Sequence, residues 1–103
     1  AKTKNFERRR KTTGEKIWEL PCMSDHLDDM KGLHADLSNL SGFRGAGSST
    51  AAAFLSQFTE DIPWAHLDIA GTGWGCANRL GYVPAKGATG CMVRTFVELA
   101  KKF

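Results

Sequence analysis

The sequence predicts an α/β fold, and three observations carry that prediction. Short alternating or apolar runs at 16–20, 35–39 and 64–70 read as strands. Stretches with helical spacing lie between and after them, and glycine- or proline-containing stops separate the two. Strands alternating with helices imply layers with parallel strands. The run at 64–70 is apolar enough to want helices on both faces and neighbours on both edges, and this chain supplies too few elements for that. It reads as part of a larger mixed or parallel sheet flanked by helices.

Taken in order, residues 2–11 read as a polar helix or frayed tail, stopped by Thr12-Thr13-Gly14. Lys16-Ile17-Trp18-Glu19-Leu20 alternates polar and apolar side chains, and Pro21 ends it. Ser24 is placed to cap a helix running to Met30, with Asp25, Asp28 and Asp29 near its positive end and Gly32 as its stop. Residues 35–39 form a weak strand candidate. A glycine-rich loop over 42–47 then leads to a helix from about Thr50, capped by Ser48 or Ser49, with Ala51, Phe54, Leu55 and Phe58 on one face. Pro63 breaks the chain before the buried strand 64–70, which runs into Gly71-Thr72-Gly73-Trp74-Gly75. Residues 76–90 are irregular. A last helix covers about 91–102, with Val93, Phe96, Val97 and Ala100 on one face and Lys101-Lys102 at its negative end.

At 103 residues and 42% hydrophobic, the chain fits one small unit with a thin core. No apolar run approaches the roughly 20 residues that span a bilayer, and no charged-then-apolar leader opens the sequence. The first residue is Ala1, as expected of a processed product or a piece of a longer chain. Cys22, Cys76 and Cys91 are odd in number, far apart and without a C-x-x-C pair. That pattern opposes a disulfide scaffold and a zinc ribbon, and is the usage of reduced thiols in the cytoplasm.

The formal charge of +3 is unevenly placed. Residues 1–16 hold seven of the 14 basic side chains and two of the 11 acidic ones, which leaves the remainder at −2. Arg8-Arg9-Arg10-Lys11 could touch nucleic acid or a membrane. No base-reading motif or interleaved aromatic set accompanies it, so a solvated basic tail is the reading adopted for residues 1–12. No membrane or nucleic-acid partner is expected.

Candidate chemistry is sparse. Gly45-Ala46-Gly47-Ser48-Ser49-Thr50 could cradle an anion, but Thr50 stands where a dinucleotide fingerprint needs its third glycine. It has no Gly-Lys-Ser/Thr of a P-loop either, so a tight turn is the plainer reading. His66 and Asp68, two apart on a strand, would share a face, yet no G-x-S-x-G elbow supplies a nucleophile. His26, His34 and His66 form no ligand pattern, and Asp25, Asp28 and Asp29 suit a helix dipole better than a metal. The best local claim belongs to Ala70-Gly71-Thr72-Gly73-Trp74. Open α/β sheets bind ligands beyond the carboxyl ends of their strands, and small residues there let a ligand approach the backbone.

Trp64-Ala65-His66-Leu67-Asp68-Ile69-Ala70-Gly71 resembles the "WAHLDIAG" string of leucyl (cytosol) aminopeptidases. Further stretches similar to that family stand around it in order: Gly14-Glu15-Lys16-Ile17-Trp18-Glu19-Leu20-Pro21, Ala35-Asp36-Leu37-Ser38-Asn39, and Gly47-Ser48-Ser49-Thr50-Ala51-Ala52-Ala53-Phe54-Leu55. Lys86-Gly87-Ala88-Thr89-Gly90 and Val93-Arg94-Thr95 complete the set. The resemblance covers about 13–103, which reads as the C-terminal segment of the catalytic domain, and residues 1–12 fall outside it.

The resemblance implies a partial α/β/α sandwich from a cytoplasmic, homo-hexameric exopeptidase that removes N-terminal residues, often leucine, from peptides. Two divalent ions, zinc or manganese, would activate the attacking water there. The family's metal-binding and catalytic residues lie upstream of the matched region, and its "NTDAEGRL" signature is not found here. No catalytic or metal residue is therefore assigned. The implied substrate-binding residues are Ala70, Gly71, Thr72 and Gly73, in a pocket wall where Gly73 replaces larger side chains such as Met. The peptide substrate and the rest of the aminopeptidase chain are the implied partners. The alternative is a non-catalytic binding or structural module derived from such an enzyme.

Overall fold

A computed structural model describes residues 12–76, 81, 83 and 85–101. The expected basic tail up to Lys11, part of the irregular stretch after Cys76 and the end of the last helix lie outside the described residues. The chain divides into two compact units. One is Glu19–His66, and the other combines the described residues of Ala1–Trp18 and Leu67–Phe103.

In the Glu19–His66 unit, helix α1 spans Ser24–Asp28 and packs on helix α2, Gly47–Ser56. Ser24 is not the cap of α1. Met23 occupies that position, and its N–H donates to His26 Nδ1 at 3.0 Å, so the buried imidazole one turn along serves the helix start. The helix also stops short of Met30. The chain turns back so that Ser38 N–H reaches Met30 O at 2.7 Å and Lys31 pairs with Leu37 in an isolated antiparallel bridge. Gly32 sits inside this return rather than closing the helix. A Cβ there would lie 2.2 Å from the Ala35 carbonyl oxygen, closer than any side chain tolerates.

Helix α2 begins at Gly47, three residues before the expected start, because left-handed Ala46 (φ 48°) turns the chain into it. Ser48 and Ser49 are thus within the first turn. The Ala46 carbonyl accepts the N–H groups of Ser49 and Thr50, both at 2.9 Å. The buried side of α2 is Ser49, Thr50 and Ala53, while the apolar face of Ala51, Phe54, Leu55 and Phe58 ranges from half-buried to exposed. The rings of Phe54 and Phe58 lie 5.3 Å apart, and Phe58 is 67% exposed.

The other unit contains helix α3, Val93–Ala100. It begins two residues after the expected Cys91, behind left-handed Met92 (φ 70°). Here the predicted stripe faces out, with Val93, Phe96 and Val97 each about half exposed, while Thr95 is fully buried. In both helices small or polar side chains pack within the unit, where hydrogen-bonding partners are on hand. Val93, Phe96 and Val97, by contrast, keep about half their surface in solvent, while Phe54 and Leu99 are half-buried.

Among the described residues no strand is formed at 16–20 or 64–70, and 35–39 contributes only the Leu37 bridge. Among the described residues, β pairing is confined to Lys31 with Leu37 and Trp74 with Ala88. A strand needs a neighbour to take its backbone N–H and C=O groups, and extended propensity alone does not provide one. Trp18 and Ile69, set by their sequences for a packed sheet, are accordingly exposed.

Candidate functional site

The turn at 68–73 is built almost wholly from the backbone. Asp68 Oδ1 accepts the N–H of Ala70 at 2.9 Å, which bends the chain at the end of the extended run. The Ile69 carbonyl then receives three donors: the N–H of Thr72 at 3.0 Å, the N–H of Gly73 at 2.8 Å and the Thr72 hydroxyl at 3.1 Å. Gly71 stands at φ +78°, where a side chain would be strained. Asp68, which the sequence pairs with His66 on one strand face, is drawn into this turn instead.

The chain returns to the same turn at 86–91. The Thr89 hydroxyl donates to Thr72 O at 2.7 Å, and the Thr89 N–H donates to Gly73 O at 3.0 Å. Trp74 and Ala88 pair beside them. Two thiols approach as well: Cys76 Sγ donates to Thr72 O at 3.1 Å, and Cys91 Sγ lies 3.6 Å from Thr72 Oγ1. Ala70, Gly71 and Thr72 are exposed nonetheless, and Gly73 is half-buried. A Cβ at position 73 would meet Ile69 Cδ1 at 3.1 Å and Ile69 O at 3.3 Å. The four residues assigned to substrate binding thus form one accessible surface. None of them ionises, so that surface can offer shape and backbone polarity but no proton transfer.

Sequence reasoning overlooked Glu15. Its carboxylate is 5% exposed and takes three donors at the start of α3: Met92 N–H at 2.8 Å, Thr95 N–H at 3.0 Å and the Thr95 hydroxyl at 2.6 Å. The Arg94 guanidinium stands 3.9 Å away, and Thr13 Oγ1 meets Thr95 Oγ1 at 3.0 Å. Burial pushes the Glu15 carboxyl up, but the Thr95 hydroxyl, the two N–H groups and Arg94 outweigh it and hold it below the usual glutamate range. A negative charge at a helix N-terminus is also favoured by the peptide dipoles. The available signal was the absence of a local cap. Met92 precedes α3 where Ser, Thr, Asn or Asp is usual, and such a helix start calls for a donor-satisfying group from elsewhere.

The described residues assemble no group of three or more His, Cys, Asp or Glu side chains able to hold a metal ion. Asp28, one of the three clustered carboxylates, is paired with Lys31 Nζ at 2.7 Å. Among the described residues no helix is long and apolar enough to cross a membrane.

A family model for the catalytic domain of the cytosol aminopeptidase family matches residues 1–97. The chain belongs to the cytosol aminopeptidase family. The match takes in residues 1–12 as well. A probable cytosol aminopeptidase of Bdellovibrio bacteriovorus is 62% identical over 92 residues, or 88% of this chain and 18% of that protein. One from Solibacter usitatus is 48% identical over 90 residues, covering 87% of this chain and 18% of the relative. One from Clostridium tetani is 42% identical over 99 residues, covering 96% and 20%. The chain therefore spans about a fifth of the length of these aminopeptidases. One pair of the family-like stretches meets in space, 14–21 with 93–95 through Glu15 and Thr95, and 86–90 clamps the turn that follows 64–71.

Proposed function

We propose that this chain is the C-terminal portion of the catalytic domain of a leucyl-type aminopeptidase, in which Ala70, Gly71, Thr72 and Gly73 wall the pocket for the substrate's N-terminal side chain. The domain is an α/β/α sandwich in this reading, and the exposed stripes of α2 and α3 are covered by the rest of it. The complete enzyme is a cytoplasmic homo-hexamer that uses two divalent ions, zinc or manganese, held by polypeptide outside this segment.

The observation that carries the reading is the 69–73 turn, which is open to solvent yet fixed by bonds from Thr89 and Cys76. A binding wall needs both properties: access for the ligand, and a position that does not drift. Its small side chains leave room for a bulky residue, and Gly73 is where that room is set.

The test joins this segment to the remainder of the domain and measures release of leucine from a leucyl chromogenic amide, with zinc or manganese supplied. Hydrolysis is expected from the complete polypeptide and none from the segment alone. Gly73→Met should lower kcat/KM for a tryptophanyl amide against an alanyl one by roughly tenfold or more, the usual effect of a few methylenes in a pocket. A complete polypeptide inert on every aminoacyl amide would instead favour the non-catalytic module, and an unchanged selectivity would remove Gly73 from the pocket.

A further inference from the structure

We propose that Thr89 and Glu15 are positioning residues for substrate selection: Thr89 clamps the turn that walls the pocket, and Glu15 fixes the backbone on which the Thr89 clamp depends. The inference rests on the pocket-wall reading above and adds what holds that wall in place.

The turn cannot fix its own position. Its internal bonds, from Ala70 N–H to Asp68 Oδ1 and from Thr72 and Gly73 to the Ile69 carbonyl, set its shape without tying it to the rest of the unit. Cys76 Sγ ties it at one point, Thr72 O at 3.1 Å, and Thr89 ties it at two, with the shorter bonds. Its hydroxyl donates to Thr72 O at 2.7 Å and accepts the Cys91 N–H at 3.2 Å, while its own N–H donates to Gly73 O at 3.0 Å. Only a hydroxyl on a short side chain can donate to one backbone group and accept from the next in so small a space.

The Cys91 N–H that orients this hydroxyl lies between two left-handed residues, Gly90 at φ +68° and Met92 at φ +70°. For methionine that conformation is strained, and it persists only where the surroundings over-determine it. Glu15 does so by taking the Met92 N–H at 2.8 Å, while its second oxygen holds Thr95 one turn further on. The sequence of contacts runs from Glu15 to Met92, along the chain to Cys91, then to the Thr89 hydroxyl and the Thr72 carbonyl. If Glu15 is removed, Met92 can relax to a right-handed conformation and carry Cys91 away from Thr89.

The test uses the complete enzyme, with Thr89→Val, Thr89→Ser and Glu15→Gln compared on leucyl and glycyl chromogenic amides. Thr89→Val keeps the volume but removes both hydroxyl bonds. It should raise KM for the leucyl amide roughly tenfold while kcat stays within about threefold, as loss of a ground-state contact does. The glycyl amide, with no side chain to seat, should change by less than about twofold, and Thr89→Ser should restore parental values within about twofold. Glu15→Gln should shift leucyl KM the same way by about threefold, since the amide still accepts one bond. Hydrogen exchange of peptides covering 70–76 should quicken in Thr89→Val and Glu15→Gln but not in Thr89→Ser.

A lowered melting temperature with the leucyl-to-glycyl ratio and the 70–76 exchange unchanged would make both residues structural only and overturn the inference. Should Thr89→Val fail to fold, Glu15→Gln and its exchange pattern decide the matter. A parent enzyme that hydrolyses neither amide sinks the aminopeptidase reading itself. An active parent whose variants keep their selectivity sinks only the positioning role.

Discussion

At the start of α3, one carboxylate gathers donors from residues 77 and 80 positions away in sequence. After α1, by contrast, the chain is held by bonds that stay close to home: Ser38 N–H to Met30 O, and Gly32 N–H to Asp36 O. The first junction is made of a buried charge and the second of backbone groups around a glycine. Neither relies on a large apolar core. Met30 and Ala53 in one unit, and Cys76 and Met92 in the other, are the buried hydrophobic residues among those described. With so little apolar burial, the polar contacts decide where the chain goes, and the difference between the junctions is one of loop closure. A contact across 80 residues must offset about 2 kcal/mol more closure entropy than one across eight, so weak bonds alone would not hold it. A buried carboxylate receiving three hydrogen bonds meets that requirement.

The largest effect should come from breaking the distant junction. Glu15→Ala strands the Met92 and Thr95 N–H groups in a buried site and leaves the Thr95 hydroxyl with Thr13 alone. A loss of about 3 kcal/mol or more is expected, read from urea unfolding of the complete polypeptide. The same junction should carry a pH signature. Because the folded Glu15 carboxyl titrates below its ordinary range, its stabilisation is fully present above that range. It is lost as pH falls through the lowered folded value. Glu15→Gln should therefore be less stable than the parent at neutral pH, with the gap closing on acidification. A gap independent of pH would mean that the charge of Glu15 contributes nothing.

The local junction should break through sterics instead. Gly32→Ala puts a methyl 2.2 Å from the Ala35 carbonyl oxygen, and the obstacle is backbone rather than a side chain that can swing aside. A cost of about 2–3 kcal/mol is expected, without pH dependence, since no charge is involved. Parental stability in this variant would mean that the return after α1 is slack and that Lys31 and Leu37 pair only loosely.

The same contrast explains what could be read from the sequence. Helices near Ser24, Thr50 and Val93 were legible from helical spacing between glycine and proline stops, although the predicted serine caps do not form. Gly32 and Gly71 were legible as special because turn residues act within a few positions of themselves, though Gly32 serves a return and not a helix end. That α2 and α3 each carry an apolar stripe was legible, but which face packs within its unit was not. Hydrophobic spacing says that an apolar stripe seeks burial somewhere, and in these two units Thr50, Ala53 and Thr95 fill the inside instead. The runs at 16–20 and 64–70 read as strands by their residue pattern, but no β bridge is formed by them among the described residues, and no local pattern names a partner. Of the candidate site, the accessible turn at 70–73 followed from its small residues and its resemblance. Glu15 and Thr89 did not, because their roles exist only once distant stretches meet.

The smallest effect sharpens the comparison by keeping the chemistry and changing the setting. Asp28 is also a carboxylate with a close partner, Lys31 Nζ at 2.7 Å, shorter than the Glu15 contact with Met92. Distance alone would rank it the stronger. Both its side chain and that of Lys31 are more than half exposed, however, so water screens the attraction and two flexible side chains must be ordered to gain it. Asp28→Asn should cost no more than about 0.5 kcal/mol, and the cost should vanish in high salt. Glu15→Gln should keep most of its penalty there, because its partners are buried N–H groups that mobile ions cannot reach. Measured side by side across salt, equal responses would show that the Glu15 site is open to solvent. A flat response at Glu15 beside a vanishing one at Asp28 would place the stability of this unit in the buried carboxylate.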